Sequence, residues 1–484
     1  MILSHKLIEQ ELLSHCDETL CDYIEEVSHT KRRLAILLTL GDNHFLWKQI
    51  KHFVDITDIS SKKNSKKLLN LLYDFIQVDD SSHNYILPEH IQNDILNEIS
   101  DFTDPYKKWF IPFVGSNDLT LSIIDRLMIG LTTWEDNEYK RYKHIVENMI
   151  YVSDTDPRRL FKYMFLFDFH DRFDLNIYLG DINDYKFEQW HNEFDITVMH
   201  PPYNKSDNGG RNSSKPIYHK YVKKIYDISK YAITITPSNW FSSGKGLNSF
   251  RDFIIKNKEV KSIQHYPYPS LGDIKYKLMT GLSYIVKRVG DTDHFIINGK
   301  KLTKENYDII SPYLSESIFN KVQKYDGISK IANSRAYFKI GTYVDDSGSV
   351  KCHMSRGKIS YVNHNITKPN NHYLVVVPRT NKRGFEGLFI IKPNEVHSDS
   401  FMSFRTDTQE QAESLMSFLN TKFANYLLWT RKSNMSITIN FCKWIPLIKL
   451  DQIWTDGKLI KLFSLKVKEV ELINEVYETT RKIR

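Results

Sequence analysis

Through the first hundred positions apolar residues recur at helical spacing. Leu7, Leu12 and Leu13 share one face, and Leu34, Leu37 and Leu38 another, so the chain reads as mostly helix from residue 1 to about 100. Within that region the Ser- and Lys-rich stretch from Ser60 to Lys67 reads as a solvated loop. From residue 109 the period changes. Short β-branched and aromatic runs, each closed by turn-forming or acidic residues, predict strands over Trp109 to Val114, Met149 to Val152, Leu175 to Leu179 and Phe194 to Met199. The first passes through Gly115 into Leu119, Ile123, Ile124 and Leu127 at helical spacing. That is the strand, turn and helix that opens a nucleotide-binding α/β unit. Further strands are expected over Tyr231 to Thr236, Val260 to Tyr266 and Gly281 to Lys287.

Beyond Gly290 the pattern shifts to short strands and turns, punctuated by Gly341, Gly348, Gly357, Gly384 and Gly387 up to about residue 400. An amphipathic helix pair follows, from Glu410 to Leu415 and from Phe418 to Leu428. The tail from Leu459 to Ile483 reads as one charged helix packing through Leu462, Leu465, Ile473 and Val476.

At 484 residues the chain is long enough for two or three domains, and 41% hydrophobic with 26% charged residues describes a folded globular protein. A net charge of +7 permits nucleic-acid binding without demanding it. Cys16, Cys21, Cys352 and Cys442 lack the spacing of a zinc site or a disulfide framework, so no metal is expected. No run of about 18 apolar residues and no leader pattern occurs, and a cytoplasmic protein without a membrane partner is expected. Basic residues meet aromatics at Arg356, Lys358 and Tyr361 and at Arg379, Lys382, Arg383 and Phe385. Lys205, Arg211 and Lys215 lie in a polar, glycine-containing stretch. Such groups suit phosphate and base-edge contacts, and a solvated surface would look the same.

One stretch stands apart: Phe194-Asp195-Ile196-Thr197-Val198-Met199-His200-Pro201-Pro202-Tyr203-Asn204. A buried strand ends abruptly in two prolines, which cannot continue it and which hold the following loop in one shape. This resembles motif IV of the amino-methyltransferases of restriction-modification systems, Asn/Asp/Ser-Pro-Pro-Tyr/Phe, with His200 in the first position. The resemblance implies an adenine-N6 DNA methyltransferase that swings its target base out of the duplex. Two acceptors, His200 and the Pro201 carbonyl, would draw on the N6 hydrogens; Pro202 would fix the loop and Tyr203 would stack on the base. A neutral imidazole accepts one hydrogen bond and an imidazolium none, so activity is expected to fall below an unperturbed histidine pKa of about 6.5.

The earlier strands resemble the same family's other motifs. Phe113, Gly115 and Ser116 match its Asp-Pro-Phe-x-Gly-Ser-Gly turn, while Ile111 stands at the acid and Asn117 at the last glycine; the turn from Phe113 through Asn117 would approach the methionine end of S-adenosylmethionine. Asp154 would bond the ribose, although an acid here also suits a plain helix cap. Asp181 and Ile182 would take the cofactor's adenine. The carboxy-terminal Leu-Asn-Thr-Lys and Trp-Thr-Asp elements are similar to those of restriction-modification adenine methyltransferases. The implied fold is α/β: a Rossmann-like S-adenosylmethionine-dependent methyltransferase domain at 101–290, after an N-terminal helical region at 1–100 and before a C-terminal α+β target-recognition domain at 291–484. Double-stranded DNA is the expected partner, with a restriction-modification protein as a possible second. Two other readings stay open: a catalytically degenerate DNA-binding subunit, decoy or restriction inhibitor, to which Ile111, Asn117 and His200 point, and the same chemistry on RNA bases or protein glutamines.

Overall fold

The computed structural model describes residues 5–14, 29–41, 43–56, 62–76, 86–184, 190, 193–206, 214–242, 246–267, 271, 280–304, 307–334, 348–363, 370–381, 383–432 and 436–481. By its internal contacts the chain forms two compact units, Met1–Pro237 with Asn257–Ile296, and Ser238–Lys256 with Ile297–Arg484. The helices before residue 100 therefore belong to the first unit, and residues 238–256 to the second.

In the first unit the helices are α1 (His5–Leu13), α2 (His29–Thr39), α3 (His44–Ile56), α4 (Lys62–Phe75) and α5 (Glu89–Asn97). The loop expected from Ser60 to Lys67 is corrected: helix α4 starts at Lys62, because the apolar stripe Leu68, Leu69, Leu72 and Phe75 is buried and lysine is a good helix former. Helix α5 is pinned to the sheet that follows it. The Tyr231 hydroxyl donates to the Glu98 carbonyl at 2.8 Å, Tyr284 to the Glu98 carboxylate at 3.0 Å and Tyr266 to Asp94 at 2.6 Å.

That sheet contains β1 (Trp109–Pro112), β2 (Ile150–Asp154), β3 (Asn176–Leu179), β4 (Phe194–Met199), β7 (Ser229–Pro237), β8 (Val260–Tyr266) and β9 (Leu282–Arg288). Between them run α6 (Asp118–Gly130), α7 (Glu138–His144), α8 (Pro157–Phe167), the ribbon β5 (Asn204–Ser206) with β6 (Ser214–Pro216), and α9 (Tyr218–Ile228). Every residue of β1 and β2 is buried, as parallel strands covered on both faces require. Strand β1 pairs in parallel with both β2 and β4, β2 with β3, and β4 with β7; β9 then runs antiparallel between β7 and β8. The order β3-β2-β1-β4-β7-β9-β8 means that the chain grows outward from β1 in one direction and resumes on its other side with β4. That reversal is a topological switch point, where ligands of open α/β sheets bind outside the carboxyl ends of the strands.

In the second unit α10 (Asn248–Lys256) contributes Arg251, which donates to the Asp308 and Trp240 carbonyls at 2.9 and 3.1 Å. Along the chain follow β10 (His294–Ile297), β11 (Lys300–Thr303), α11 (Glu316–Val322), β12 (Ala332–Asn333), β13 (Val350–His353) paired with β14 (Ile359–Val362), β15 (Tyr373–Pro378), β16 (Phe389–Ile391), β17 (Val396–His397) and β18 (Phe401–Thr406), of which β12, β18, β15 and β16 form a four-stranded sheet. Strand β15 shows its period of two in its burial: Val375 and Val377 enter the large core with Met402, Phe404, Leu415 and Phe418, while Leu374 and Val376 join Ile391 and Phe401 on the other side. Helices α12 (Gln409–Leu419) and α13 (Lys422–Arg431) supply the expected pair. The Leu-Asn-Thr-Lys and Trp-Thr-Asp elements meet: Thr421 caps α13 through the Ala424 amide at 3.1 Å, and Asp456 accepts from the Lys422 and Phe423 amides at 3.2 and 3.1 Å. Replacing Thr421 with alanine is expected to lower stability by about 1 kcal/mol in a urea titration, the usual loss for an N-cap.

The single helix expected from Leu459 to Ile483 is corrected to two, α14 (Asp456–Leu462) and α15 (Val467–Arg481), with Ser464 at φ 47° breaking them. Leu462 consequently faces solvent, 42% exposed, while Leu459, Ile473 and Val476 are buried.

Candidate active site at the sheet switch point

The carboxyl ends of β1 and β4 flank the switch point, and they carry the two most distinctive loops of the sequence. After β1 the backbone turns through Phe113 at φ 63°, Gly115 at φ 56° and Asn117 at φ 69°. Two of these three left-handed residues are not glycine. The turn is held from outside: the Phe113 amide donates to the Ser153 carbonyl at 2.7 Å and the Gly115 amide to the Asp154 carboxylate at 3.4 Å. Asn117 occupies the left-handed position where the resembled motif has glycine, and its side-chain amide donates to the Arg159 carbonyl at 3.4 Å. Ser116 donates to Asp118, whose other oxygen accepts the Leu87 amide at 2.8 Å. Burial raises the Asp118 pKa against these donors.

Asp154 closes β2 as a fully buried acid. Its carboxylate accepts the Asp156 amide at 3.0 Å and pairs with the Arg159 guanidinium at 3.4 Å. Its pKa is raised by burial, with Arg159 opposing. The cap of α8 is Asp156, which accepts the Arg158 amide at 2.9 Å, so Asp154 is not spent on capping the helix. Asp181, two residues past the end of β3, accepts from the Tyr221 hydroxyl at 3.2 Å, and the Tyr221 ring packs edge-on against Phe113 at 4.7 Å. Ile182 is fully buried. Gly115, Asn117, Asp154 and Arg159 are thus linked around the end of β1, as are Phe113, Tyr221 and Asp181, with Ser116 bonded to Asp118 beside them.

After β4, Pro201 and Pro202 are buried, and the His200 Nε2 lies 2.8 Å from the Tyr203 hydroxyl. Tyr203 is wholly buried, its ring edge-on to Tyr218 at 6.3 Å, so it presents no exposed face to stack on. His200 is 7% exposed; burial, helped by the Arg159 charge, pushes its pKa down to about 3. The expected fall in activity near pH 6.5 is therefore corrected: the imidazole stays neutral, and a rate that follows His200 is flat from pH 8 to pH 5 in a buffered rate series. Its effect on stability has the opposite sense. Below about pH 6.5 the unfolded chain takes up a proton that folded His200 refuses until about pH 3, so this contribution is full above pH 6.5 and is lost as pH falls. His265, also buried and lowered to about 4, behaves alike. Urea midpoints should decline from pH 7 to pH 5, and His265→Gln should make that decline shallower.

The positions expected to contact nucleic acid are spread over both units. Lys215 is exposed in β6, and the ladder puts position 205 opposite it. Arg356 and Lys358 are exposed in the connection from β13 to β14, and Arg379 and Arg383 are exposed after β15. Arg211, Lys382 and the side chain of Lys205 lie outside the described residues. Two site residues escaped the sequence reading: Arg159 and Lys162, both 2% exposed on the first turns of α8. The capping signal Asp156-Pro157 marks the helix start, but nothing in it says that its cations point inward.

The sheet order, the left-handed turn and the Pro-Pro loop together define a Rossmann-like α/β fold of the methyltransferase type. The Eco57I restriction-modification methylase family matches residues 25–270, just over half of the chain, and the chain belongs to that family. An uncharacterized adenine-specific methylase of Mycoplasma pneumoniae is 29% identical over 112 residues, which cover 22% of this chain and 26% of that relative. Among solved structures, the DrdV–DNA complex has a TM-score of 0.46 at 9% identity, covering 95% of this chain and 65% of that one. The methyltransferase subunit of the type I restriction-modification system of Streptococcus thermophilus has a TM-score of 0.40 at 12% identity, covering 66% of this chain and 72% of that one. Among the described residues no helix is long and apolar enough to cross a membrane.

Proposed function

We propose that this chain methylates the N6 amine of adenine at a specific site in double-stranded DNA, with S-adenosylmethionine as the methyl donor and the target base swung out of the duplex. The observation that carries the reading is the pairing, at one switch point, of a rigid His-Pro-Pro-Tyr loop with a left-handed turn bound to a buried acid. Phe113, Gly115, Ser116 and Asn117 would hold the cofactor's methionine end, Asp154 its ribose, and Asp181 with Ile182 its adenine. The cofactor supplies an electrophilic methyl group.

The chain's own residues deal with the acceptor. Adenine N6 is a weak nucleophile because its lone pair is delocalised into the ring, and acceptors aimed at its hydrogens free that pair. His200, held neutral by burial, is able to accept; the Pro201 carbonyl is the second acceptor, and Pro202 keeps both in place. As the bond from N6 to the methyl carbon formed and the sulfur–methyl bond broke, one N6 proton would be passed to water, the acceptors holding the remaining hydrogen. Tyr203 would turn from its bond with His200 to stack on the base. Lys205, Arg211 and Lys215 would meet phosphates beside the site, and Arg356, Lys358, Arg379, Lys382 and Arg383 would contact DNA from the C-terminal unit. A restriction-modification protein is the second partner this reading implies, and a cytoplasmic location fits this role.

The second reading, a methyltransferase-like protein that binds DNA without catalysis, is favoured by Arg159. Its buried guanidinium lies within electrostatic reach of His200, where a sulfonium would sit, and Ile111 replaces the family's acid. The test offers unmodified DNA, RNA and protein side by side with methyl-labelled S-adenosylmethionine. Label in DNA alone supports the proposal, label in RNA or protein moves the substrate, and DNA binding without label supports the second reading.

A further inference from the structure

Helix α8 brings Arg158, Arg159 and Lys162 against Asp154 and Asp156, one more cation than carboxylates. Two of these cations are out of water. Arg159 is 2% exposed; its carbonyl holds the Asn117 amide and its guanidinium pairs with Asp154, which in turn holds the Gly115 amide. Lys162, one turn on, is also 2% exposed, and its ammonium has no hydrogen-bond partner among the described residues. Its visible companion is the Tyr73 ring, 5.9 Å away, and Tyr73 is itself within electrostatic reach of Asp118 at the start of α6. A buried ammonium with no hydrogen-bonded anion costs several kcal/mol, so a fold retains one where something anionic repays it.

We propose that Arg159 and Lys162 form a receiving site for a carboxylate, that of the cofactor's methionine end, beside the Gly115–Asp118 turn. The inference rests on the cofactor reading above. In most of the family's turns an acid would grip the amino group of that end; here Ile111 has removed the acid, and two buried cations stand ready for the carboxylate instead. This arrangement puts the negatively charged end of the ligand against Arg159, the cation that would otherwise face a sulfonium. It also leaves Asp154 able to exchange its guanidinium partner for ribose hydroxyls, since the carboxylate takes over part of Arg159.

Calorimetric titration of the full chain with S-adenosylhomocysteine and with 5′-deoxy-5′-methylthioadenosine tests this, because the second ligand keeps the nucleoside and lacks the amino-acid tail. Lys162→Met should weaken S-adenosylhomocysteine at least tenfold, leave methylthioadenosine within twofold and raise the unfolding temperature, the last showing that the variant folds. Lys162→Arg should retain most of the affinity. Unchanged S-adenosylhomocysteine binding in Lys162→Met, or equal loss for both ligands, overturns the carboxylate site while leaving the cofactor reading standing. A wild-type chain that binds neither ligand overturns the cofactor reading, and this inference with it.

Discussion

Replacing His200 with alanine is expected to slow methylation by about 10²- to 10³-fold, the usual loss when one preorganised hydrogen-bonding group is removed from a site that handles developing charge. Cofactor affinity should stay within about twofold, because the residues proposed to hold the cofactor lie at the ends of β1, β2 and β3 while His200 follows β4. His200→Asn supplies a side-chain oxygen as acceptor in place of the imidazole nitrogen and should keep much of the rate that His200→Ala loses. The His200 imidazole is tied to Tyr203 at 2.8 Å, so Tyr203→Phe separates the two roles: it keeps a stacking ring and frees the imidazole. Single-turnover rates and equilibrium binding on the same preparations distinguish these cases. A rate unaffected by His200→Ala would remove the residue from the reaction.

Asp154→Ala is expected to destabilise the fold by about 3–5 kcal/mol, the range for breaking a buried ion pair by removing one partner. The Asp154 side chain is 0% exposed and that of Arg159 2%, and the 3.4 Å pair also anchors the turn through Gly115. Taking away the carboxylate removes the fully buried anion that faces a buried guanidinium. Replacing both partners, as Asp154→Ala with Arg159→Met, should therefore cost less than the sum of the two single losses. Urea midpoints for the two single variants and the double variant give the coupling directly, and additive losses would show that the pair is not energetically joined.

The sequence made the first unit's sheet legible because parallel strands buried on both faces leave continuous apolar runs, and each here ends in a residue that stops it: Gly115, Asp154, Gly180 or Pro201. Asn117 was readable as a stand-in for glycine because few other side chains tolerate its left-handed backbone. The lysines at the start of α4 misled, since composition says solvent while helix propensity and the following leucines say helix. The break at Ser464 carries neither glycine nor proline, so nothing local announces it. The inward-facing Arg159 and Lys162 were the least legible: cations on a helix are normally exposed, and only tertiary packing turned these toward Asp154. The same holds for His200, whose neutral state comes from burial. Residues 238–256 interrupt the first unit for a similar reason, Arg251 being committed to carbonyls at 240 and 308.

The most direct test of the central claim is nucleoside mass spectrometry of unmodified double-stranded DNA incubated with the purified chain and isotope-labelled S-adenosylmethionine. Labelled N6-methyladenine, lost in His200→Ala, is the predicted result. DNA that is bound but yields no labelled N6-methyladenine contradicts it.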